Sequence, residues 1–526
     1  MGIYVNPNNA NFEEALNSPI FVDKSMAIAQ VNKLVKTTGK YACVSRARRF
    51  GKTMVGNMLA AYYSKGCDSR ALFENLKIAK DLSFEKYLNK LNVIKFDMNA
   101  LYSCNPGKDI IAIIEERLHE ELAAAFPAAN LSEKDQTLES CLLKIYAATG
   151  EQFVIIIDEY DVLVREKTPR DYFEHFLSFL NGMFKNAELA PAIALAYITG
   201  ILPIVRDKVQ SKLNMFDEYT MLNAGALSGC IGFTDDEVRV LCEEHNMDFE
   251  ECKRWYDGYR LKDVEVYNSN SVVKAMQNGE FENYWNKTGS FEAVSNFIQL
   301  NFEGTLDDVK TMIGGGRVDV NTLSFLNTMT DFRCKDDVFT YLIHLGYLAY
   351  DRKEKQCYIP NREVRDEWVS AIRFDANYKS LFNMINASRQ LVESTIEGDG
   401  ETVAAALDAA HSEICNNLSY NNEYAFQSAI GLAYFYANLK YTVVREMPTG
   451  KGVADIAFIP YVPNTPALIV ELKCNQCAQT ALDQIRAKNY RQCLSQYTGD
   501  LLFVGVNYDR ETKKHECKIE MFVKEP

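Results

Sequence analysis

The sequence lacks any apolar run long enough to cross a membrane. A membrane-spanning helix needs roughly 18 consecutive apolar residues, and the closest stretch, residues 191–205, is broken by Thr199, Gly200 and Pro203. This stretch is typical of a buried strand and turn. Residues 1–4 lead directly into polar sequence, so we expect no secretory segment, no membrane partner and a cytoplasmic location.

The chain also lacks an excess of positive charge. It has 57 Lys and Arg residues against 71 Asp and Glu residues, which gives a formal net charge of -14. The overall field of an acidic protein does not steer it to nucleic acid, so any such contact needs a local basic surface. The length of 526 residues and the hydrophobic content of 47% predict two to four domains with sizeable cores.

Paired cysteine and histidine ligands at zinc-site spacing are missing as well. Cys474 and Cys477 form a lone C-x-x-C motif, without a second pair or a histidine partner at the required distance. The other cysteines are scattered and mostly lie in apolar stretches. We therefore expect reduced thiols and no zinc or redox role for this motif.

The fourth missing feature is the first glycine of a phosphate-binding turn. Residues 40–54 have the pattern of a strand, a basic turn and the start of a helix. Gly51-Lys52-Thr53 is the second half of a P-loop, but Arg46 stands where the first glycine belongs. In such loops glycine lets the backbone approach a phosphate, lysine reaches the outer phosphates and threonine holds Mg²⁺. The predicted nucleotide contacts are Arg46, Arg48, Arg49, Phe50, Gly51, Lys52 and Thr53. Alone, the tripeptide could also be a chance match at a helix start.

An acidic strand end downstream supports the nucleotide interpretation. Residues 152–161 contain a continuous apolar run that ends in Asp158-Glu159, as in a strand buried on both faces of a parallel sheet. This is the Walker B pattern, in which Asp158 would join the magnesium shell and Glu159 would orient the attacking water. Thr199, at the tip of a further buried strand, is a candidate sensor of the terminal phosphate or a structural turn residue. Arg206 is a weaker candidate for phosphate contact, with a solvated surface position as its alternative.

The pattern of strands and helices predicts four regions. Residues 1–228 alternate strands and helices and form an α/β domain. Residues 229–290 begin with a capping box at Thr234 and Glu237 and predict a lid or winged-helix unit. Residues 291–385 predict a helical connection with one hairpin, and residues 386–526 a second α/β domain.

The last region carries a second set of chemical residues. Asp455 begins one predicted strand, and the next carries Glu471 and Lys473, which the period of two places on one face. Two carboxylates on adjacent strands suit one or two Mg²⁺ ions that activate water, and lysine can orient that water or stabilise charge on a phosphate. Glu423, on a predicted helix at 422–439, is a further metal-ligand candidate. Gln484, on a predicted helix at 478–490, is a candidate for positioning water or DNA.

Together these motifs resemble a bacterial family of predicted AAA-like ATPases with a C-terminal PD-(D/E)XK nuclease-superfamily domain. The resemblance covers nearly the whole chain and rests on residues 21–25, 46–53, 157–161, 198–200, 232–234, 255–259, 284–285, 449–452, 455, 471–473 and 484. It implies that the missing first glycine is a habit of the family. Ala47 and Thr53 depart mildly from the family's P-loop motif, which commonly has proline and serine at these positions. Val453 stands where the family frequently has an arginine, which weakens the case for contact with the DNA backbone at that position.

The resemblance implies a P-loop NTPase with a parallel sheet, a helical or winged-helix lid and a nuclease-like α/β domain. It also implies ATP and Mg²⁺ as cofactors and nucleic acid, DNA above RNA, as the substrate or ligand. The first hypothesis is an ATPase that cleaves nucleic acid. The second is an ATP-controlled switch that binds nucleic acid or a partner without cutting it, and the third a scaffold with two relic sites. A ring of identical chains would need an arginine donated across an interface, for which Arg206 is the candidate.

Overall fold

The computed structural model describes residues 2–166, 168–204, 214–285, 294–295, 299–300, 302–323, 325, 332–373, 378–414, 430–431, 433–448, 453–460, 465–487 and 499–522. The chain divides into two compact units. The first contains residues 1–290 and 319–366, and the second contains residues 291–318 and 367–526. The domain boundaries expected after residues 228, 290 and 385 stay predictions.

Five parallel strands form the main sheet of the first unit. They are β1 (Tyr41–Ser45), β2 (Asn92–Asp97), β3 (Phe153–Asp158), β4 (Ile193–Gly200) and β5 (Asp217–Tyr219), in the order β2-β3-β4-β1-β5. The apolar runs of β1, β3 and β4 are buried along their whole length, as the sequence predicts. All five carboxyl ends face one edge, where open α/β sheets bind ligands.

Ten helices surround this sheet within the described residues. They are α1 (Ala10–Leu16), α2 (Met26–Asn32), α3 (Lys52–Tyr63), α4 (Arg70–Phe73), α5 (Phe84–Tyr87), α6 (Met98–Cys104), α7 (Ile110–Ala125), α8 (Leu138–Thr149), α9 (Val162–Arg165) and α10 (Arg170–Phe184). The apolar face of α7 lies in the core. The strand β2 ends at Asp97, where α6 begins. The Asp97 carboxylate accepts the N–H groups of Asn99 and Ala100 at 2.8 and 3.0 Å and so starts α6.

A smaller module follows in the same unit. It consists of β6 (Phe233–Thr234), α11 (Asp235–Glu244), α12 (Phe249–Tyr256), β7 (Tyr259–Leu261), β8 (Val264–Tyr267) and α13 (Ser269–Asn278). The strands form an antiparallel sheet in the order β6-β8-β7, and the helices pack around an aromatic core. The predicted capping box of Thr234 and Glu237 is present at the start of α11.

The middle of the chain is mainly helical. Its described elements are α14 (Thr305–Ile313), β9 (Val318–Asp319), α15 (Lys335–Leu345), β10 (Ala349–Asp351), β11 (Gln356–Tyr358) and α16 (Arg362–Ile372). The antiparallel pairing of β10 with β11 confirms the predicted hairpin.

The second unit is built on a mixed sheet. Two helices, α17 (Lys379–Glu397) and α18 (Gly400–Ile414), precede the strands β12 (Tyr441–Pro448), β13 (Val453–Pro460) and β14 (Ala467–Cys474), and α19 (Ala478–Ala487) precedes β15 (Leu501–Asp509) and β16 (Lys514–Phe522). The strands lie in sequence order, and only β14 and β15 run parallel. Among the described residues, no helix is both long and apolar enough to span a membrane.

The long helix predicted at residues 422–439 is wrong at its end, because Phe435–Leu439 forms a 3-10 helix that leads into β12. Glu423 and the turn at residues 449–452 lie outside the described residues. The predicted helix at 478–490 is described as far as Ala487.

Candidate functional site

The predicted P-loop follows β1 and leads into α3 at the carboxyl edge of the main sheet. Gly51 has a φ of +92°, a left-handed conformation in which glycine avoids the strain of a side chain. No atom lies within 4 Å of the position that a Cβ on Gly51 would take, so the backbone angle is the constraint. The 12-residue helix α3 begins directly afterwards and presents its first N–H groups at this turn.

The three arginines of the turn have different environments. Arg46 is fully buried and donates to the carbonyl oxygens of Tyr219 at 2.7 Å and Ser45 at 3.0 Å. Arg49 donates to the carbonyl oxygen of Tyr284 at 2.9 Å and also lines a cavity. Arg48 is exposed and lines the same cavity. Arg46 thus stabilises the loop through backbone carbonyl groups. Its side chain does not line the cavity, although the sequence predicts that it contacts a nucleotide.

Lys52 is held inside the turn. Its ammonium group donates to the carbonyl oxygens of Arg46 at 2.9 Å and Ala47 at 3.0 Å. Burial lowers the pKa of Lys52 to about 8, against the opposing attraction of the nearby carboxylates of Glu159, Asp161 and Asp158. A phosphate in the cavity would add negative charge beside this cation and favour its protonated form.

Asp158 ends β3 and is only 2% exposed. Its Oδ1 accepts the backbone N–H of Glu159 at 3.1 Å and a short hydrogen bond from the Thr199 hydroxyl on β4. Its buried Oδ2 has no hydrogen-bond partner among the described residues. A buried carboxylate oxygen without a partner is costly, and a hard cation such as Mg²⁺ would satisfy it. The site therefore fits the predicted magnesium role of Asp158.

Glu159 adopts a left-handed backbone conformation with a φ of +49°. Tyr160 holds the turn, because its N–H donates to the carbonyl oxygen of Thr199 at 2.9 Å. The Glu159 carboxylate accepts from Arg165 at 2.8 Å, and the Arg165 side chain is 7% exposed against 28% for Glu159. Non-glycine residues in such conformations are often found at functional sites.

Sequence reasoning missed the residues that support Glu159. Arg165 also lies 3.2 Å from Asp161 Oδ2, and this oxygen accepts the backbone N–H groups of Ile201 and Leu202 at 3.0 and 2.9 Å. The ends of β3 and β4 are thereby tied together through one buried carboxylate. The only available signal was the spacing of four residues between Asp161 and Arg165 on a short helix.

A cavity of about 600 Å³ lies beside these groups. Its polar lining comes from the P-loop turn and Glu159. Its apolar lining includes Ile20, Phe21, Val22, Ile231, Phe233 and Val273. Arg46, Asp158 and Thr199 do not line the cavity, and Arg206 lies outside the described residues.

Lys24 is a second residue that sequence reasoning did not assign to this site. It lines the cavity, yet it is buried, and it donates to the Glu237 carboxylate at 2.5 Å and to the carbonyl oxygen of Gly229 at 3.0 Å. Burial lowers the pKa of Lys24, while Glu237 opposes this shift. The ion pair connects the segment before α2 to α11.

The smaller module that contains β6 to β8 and α11 to α13 contacts the P-loop directly. The N–H of Gly232 donates to the carbonyl oxygen of Phe50 at 2.8 Å, and the N–H of Asn270 to that of Arg49 at 3.3 Å. The buried Phe50 ring packs edge-to-face on Tyr259, with centroids 5.2 Å apart. Any ligand that shifts the P-loop must therefore also act on this module.

The second predicted site lies on the mixed sheet of the second unit. β13 and β14 are antiparallel with Ile456 opposite Val470, which places Asp455 beside Glu471. Asp455 Oδ2 accepts the backbone N–H of Leu472 at 2.7 Å. Glu471 is 1% exposed, and its Oε1 lies 3.2 Å from Lys473 Nζ. The structure thus brings together three of the predicted residues.

The other two predicted residues of this site are not connected to them. Gln484 is partly exposed on α19, and no described hydrogen bond joins it to the carboxylates. Glu423 lies outside the described residues. Within those residues no group of three or more Cys, His, Asp and Glu side chains could hold a metal ion. The oxygen donors of Asp455 and Glu471 suit Mg²⁺, but further ligands must come from other groups.

Comparison with known proteins finds a family match for each of two regions of the chain. Residues 10–210 match the family described as predicted AAA-ATPase, and residues 421–518 match the PD-(D/E)XK nuclease superfamily. The two matches confirm the architecture that the motifs resemble. The chain is also 24% identical over 256 residues to an uncharacterized protein in the vnfD 5' region of Azotobacter chroococcum mcd 1. This match covers 48% of each chain, so the chain spans about half the length of that relative.

Proposed function

Starting from a chain that joins an AAA-ATPase-like domain to a PD-(D/E)XK superfamily domain, we propose an ATP-hydrolysing protein with a magnesium-dependent nuclease domain. The observation that carries the ATPase half is the cavity of about 600 Å³, which is lined by the P-loop with Lys52 and by apolar side chains and has a size suited to a nucleotide. Glu159 lines the same cavity, and the residue before it, Asp158, has a buried oxygen without a described partner.

The roles of the residues follow from their positions. Lys52 and the N–H groups at the start of α3 bind phosphates, and the apolar side chains of the cavity enclose the base. Thr53 and Asp158 would hold Mg²⁺, which would supply positive charge beside the phosphates. Glu159 orients the attacking water and accepts its proton, while Thr199 fixes the orientation of Asp158 through its hydroxyl.

Calorimetric titration with ATP and Mg²⁺ tests this half. Lys52→Ala should lose ATP binding, and Asp158→Asn should remove the magnesium dependence of binding. Lys65 is a matched control, because it lies just beyond the far end of α3 in an exposed ion pair with Glu151 at 2.7 Å. Lys65→Ala should bind ATP as the wild type does. Unchanged binding by Lys52→Ala would refute the nucleotide site.

The nuclease half rests on the buried Glu471 and the half-buried Lys473 beside Asp455. The two carboxylates would hold Mg²⁺, which would supply an activated water for attack on a phosphodiester. Lys473 lies 3.2 Å from Glu471 and stabilises the negative charge that develops on a phosphate held beside that carboxylate. We expect DNA to be the preferred substrate.

A panel of DNA and RNA substrates with Mg²⁺ or Mn²⁺ tests cleavage. Asp455→Ala and Lys473→Ala should each abolish metal-dependent cutting. Lys518→Ala on β16 is the matched control, because this lysine is exposed and its one hydrogen bond among the described residues is a marginal contact of 3.4 Å with Gln479. Cutting that persists in Lys473→Ala preparations would assign the activity to another source.

A second candidate function is an ATP-controlled switch that binds nucleic acid or a partner without cleavage. The observation that favours it is the direct hydrogen bonding of the P-loop carbonyls of Arg49 and Phe50 to the small module. Nucleotide binding would alter these bonds and so move the module. Cleavage that is abolished by Asp455→Ala would rule out this alternative.

A further inference from the structure

The three arginines of the P-loop turn are not equivalent, and Arg48 has the most donors left for a ligand. Arg46 donates to the carbonyl oxygens of Ser45, Tyr219 and Leu227, whereas Arg49 donates to that of Tyr284 and also lines the cavity. Across the part of the chain that the structure describes, Arg48 forms no hydrogen bond and no ion pair. Its exposed side chain lines the cavity together with Lys52, Thr53 and Glu159.

A free guanidinium beside a phosphate site has a specific chemical use. Its planar donors match two phosphate oxygens at once, and its charge persists at every physiological pH. During ATP hydrolysis negative charge builds up around the terminal phosphate, and fixed cations at that point lower the barrier. In many assemblies such a cation must come from a neighbouring molecule.

We propose that Arg48 contacts the terminal phosphate of the ATP bound in its own chain and stabilises the charge that develops during hydrolysis. Arg48 belongs to the same turn as Lys52 and lines the same cavity. Under this proposal each chain supplies its own phosphate-contacting arginine, and turnover does not require assembly into a ring. This inference rests on the proposed ATPase function.

The reaction itself balances without any covalent change to Arg48. The water oxygen bonds to the terminal phosphorus, and the bond from that phosphorus to the bridging oxygen breaks. The bridging oxygen leaves on ADP with the electron pair. One proton of the water passes to Glu159 and then to solvent, and the other stays on the phosphate.

Binding and trapping measurements on Arg48→Gln test the contact. We expect ADP affinity within about twofold of wild type, weaker ATP affinity, and a loss of turnover of about 10²–10³-fold. ADP with aluminium fluoride, which mimics the transferring phosphate, should no longer be trapped. Arg48→Lys should recover part of the turnover, because it keeps the charge and loses the paired donors.

Mixing variants tests whether Arg48 acts within its own chain. Lys52→Ala retains Arg48 but lacks the phosphate-binding lysine, whereas Arg48→Gln has the reverse defect. Under the proposal the mixture stays inactive, and wild-type turnover per chain is independent of protein concentration. Activity restored on mixing, or wild-type turnover by Arg48→Gln, would overturn it. A wild-type protein that binds no ATP would instead refute the proposed function itself.

Discussion

Replacing Asp161 with alanine should strongly destabilise the first unit. Asp161 is fully buried, and its Oδ2 accepts the N–H groups of Ile201 and Leu202 and pairs with Arg165. Alanine leaves two buried amide groups without acceptors, at about 1–3 kcal/mol each. It also leaves the buried Arg165 cation with Glu159 as its nearest described carboxylate partner. We expect a total loss of about 3–5 kcal/mol in the free energy of unfolding.

Asparagine at the same position separates the two contributions. Its side-chain oxygen can still accept from Ile201 and Leu202, but it carries no charge to balance Arg165. Asp161→Asn should therefore recover about half of the loss. Glu159→Gln is a matched control, because that carboxylate is more exposed and makes one described ion pair. Its effect on unfolding should stay below about 1 kcal/mol.

Two measurements on the full chain check this prediction. Scanning calorimetry should show a lowered transition for Asp161→Ala, by about 2 °C per kcal/mol for a unit of this size. Hydrogen exchange should be faster at the amides of Ile201 and Leu202, the groups that lose their acceptor. A transition unchanged within error, or equal protection of these two amides, would show that Asp161 does not hold the strand ends together.

Three further predictions follow from the same environments. ATP affinity should fall as the pH rises above about 8, because burial lowers the pKa of Lys52 to about 8 and only the lysine cation binds phosphate. The Lys52→Arg variant should lose this pH dependence. Titration calorimetry from pH 6.5 to 9.5 would measure the ATP affinity of the wild type and of the variant. Gly51→Ala should cost about 1–2 kcal/mol in urea unfolding from backbone strain alone, since its φ is +92° and no atom obstructs a Cβ; an unchanged midpoint would refute the left-handed conformation. Burial, with a smaller contribution from His515, lowers the pKa of His411 to about 4, so the unfolded state binds protons more readily than the folded state below about pH 6.5. The contribution of His411 to the stability of the second unit should therefore be fully present above that pH and be lost as the pH falls toward 4. In thermal scans, His411→Gln should flatten this decline.

The local chemistry of both sites could be predicted from the sequence. A continuous apolar run followed by Asp158-Glu159 specifies a buried strand with an acidic end, because no polar residue interrupts the part that must lie inside the sheet. Glu471 and Lys473 share a face because the strand period is two, and the structure places them 3.2 Å apart. These inferences depend on neighbours in the chain, so they needed no knowledge of the fold.

The predicted equivalence of the P-loop arginines could not be checked in this way. Whether Arg46 meets a phosphate or a carbonyl oxygen depends on Tyr219 and Leu227, which approach it only in the folded chain. A buried arginine next to unpaired carbonyl oxygens satisfies them, and its exposed neighbour stays free for a ligand. The sequence around Arg46 would be the same whether its side chain met a phosphate or a carbonyl oxygen, so composition and spacing could not distinguish the two.

The sequence by itself determined which residues begin α3, end β3 and alternate along β14, since each follows from local backbone preferences and hydrophobic periodicity. Tertiary structure alone decided that β4 lies between β1 and β3, which brings Thr199 to Asp158. It also decided that Asp161 and Arg165 support Glu159. The physical reason is that these contacts join residues that meet only when the strands pack, and packing selects one strand order from several that the same local patterns allow.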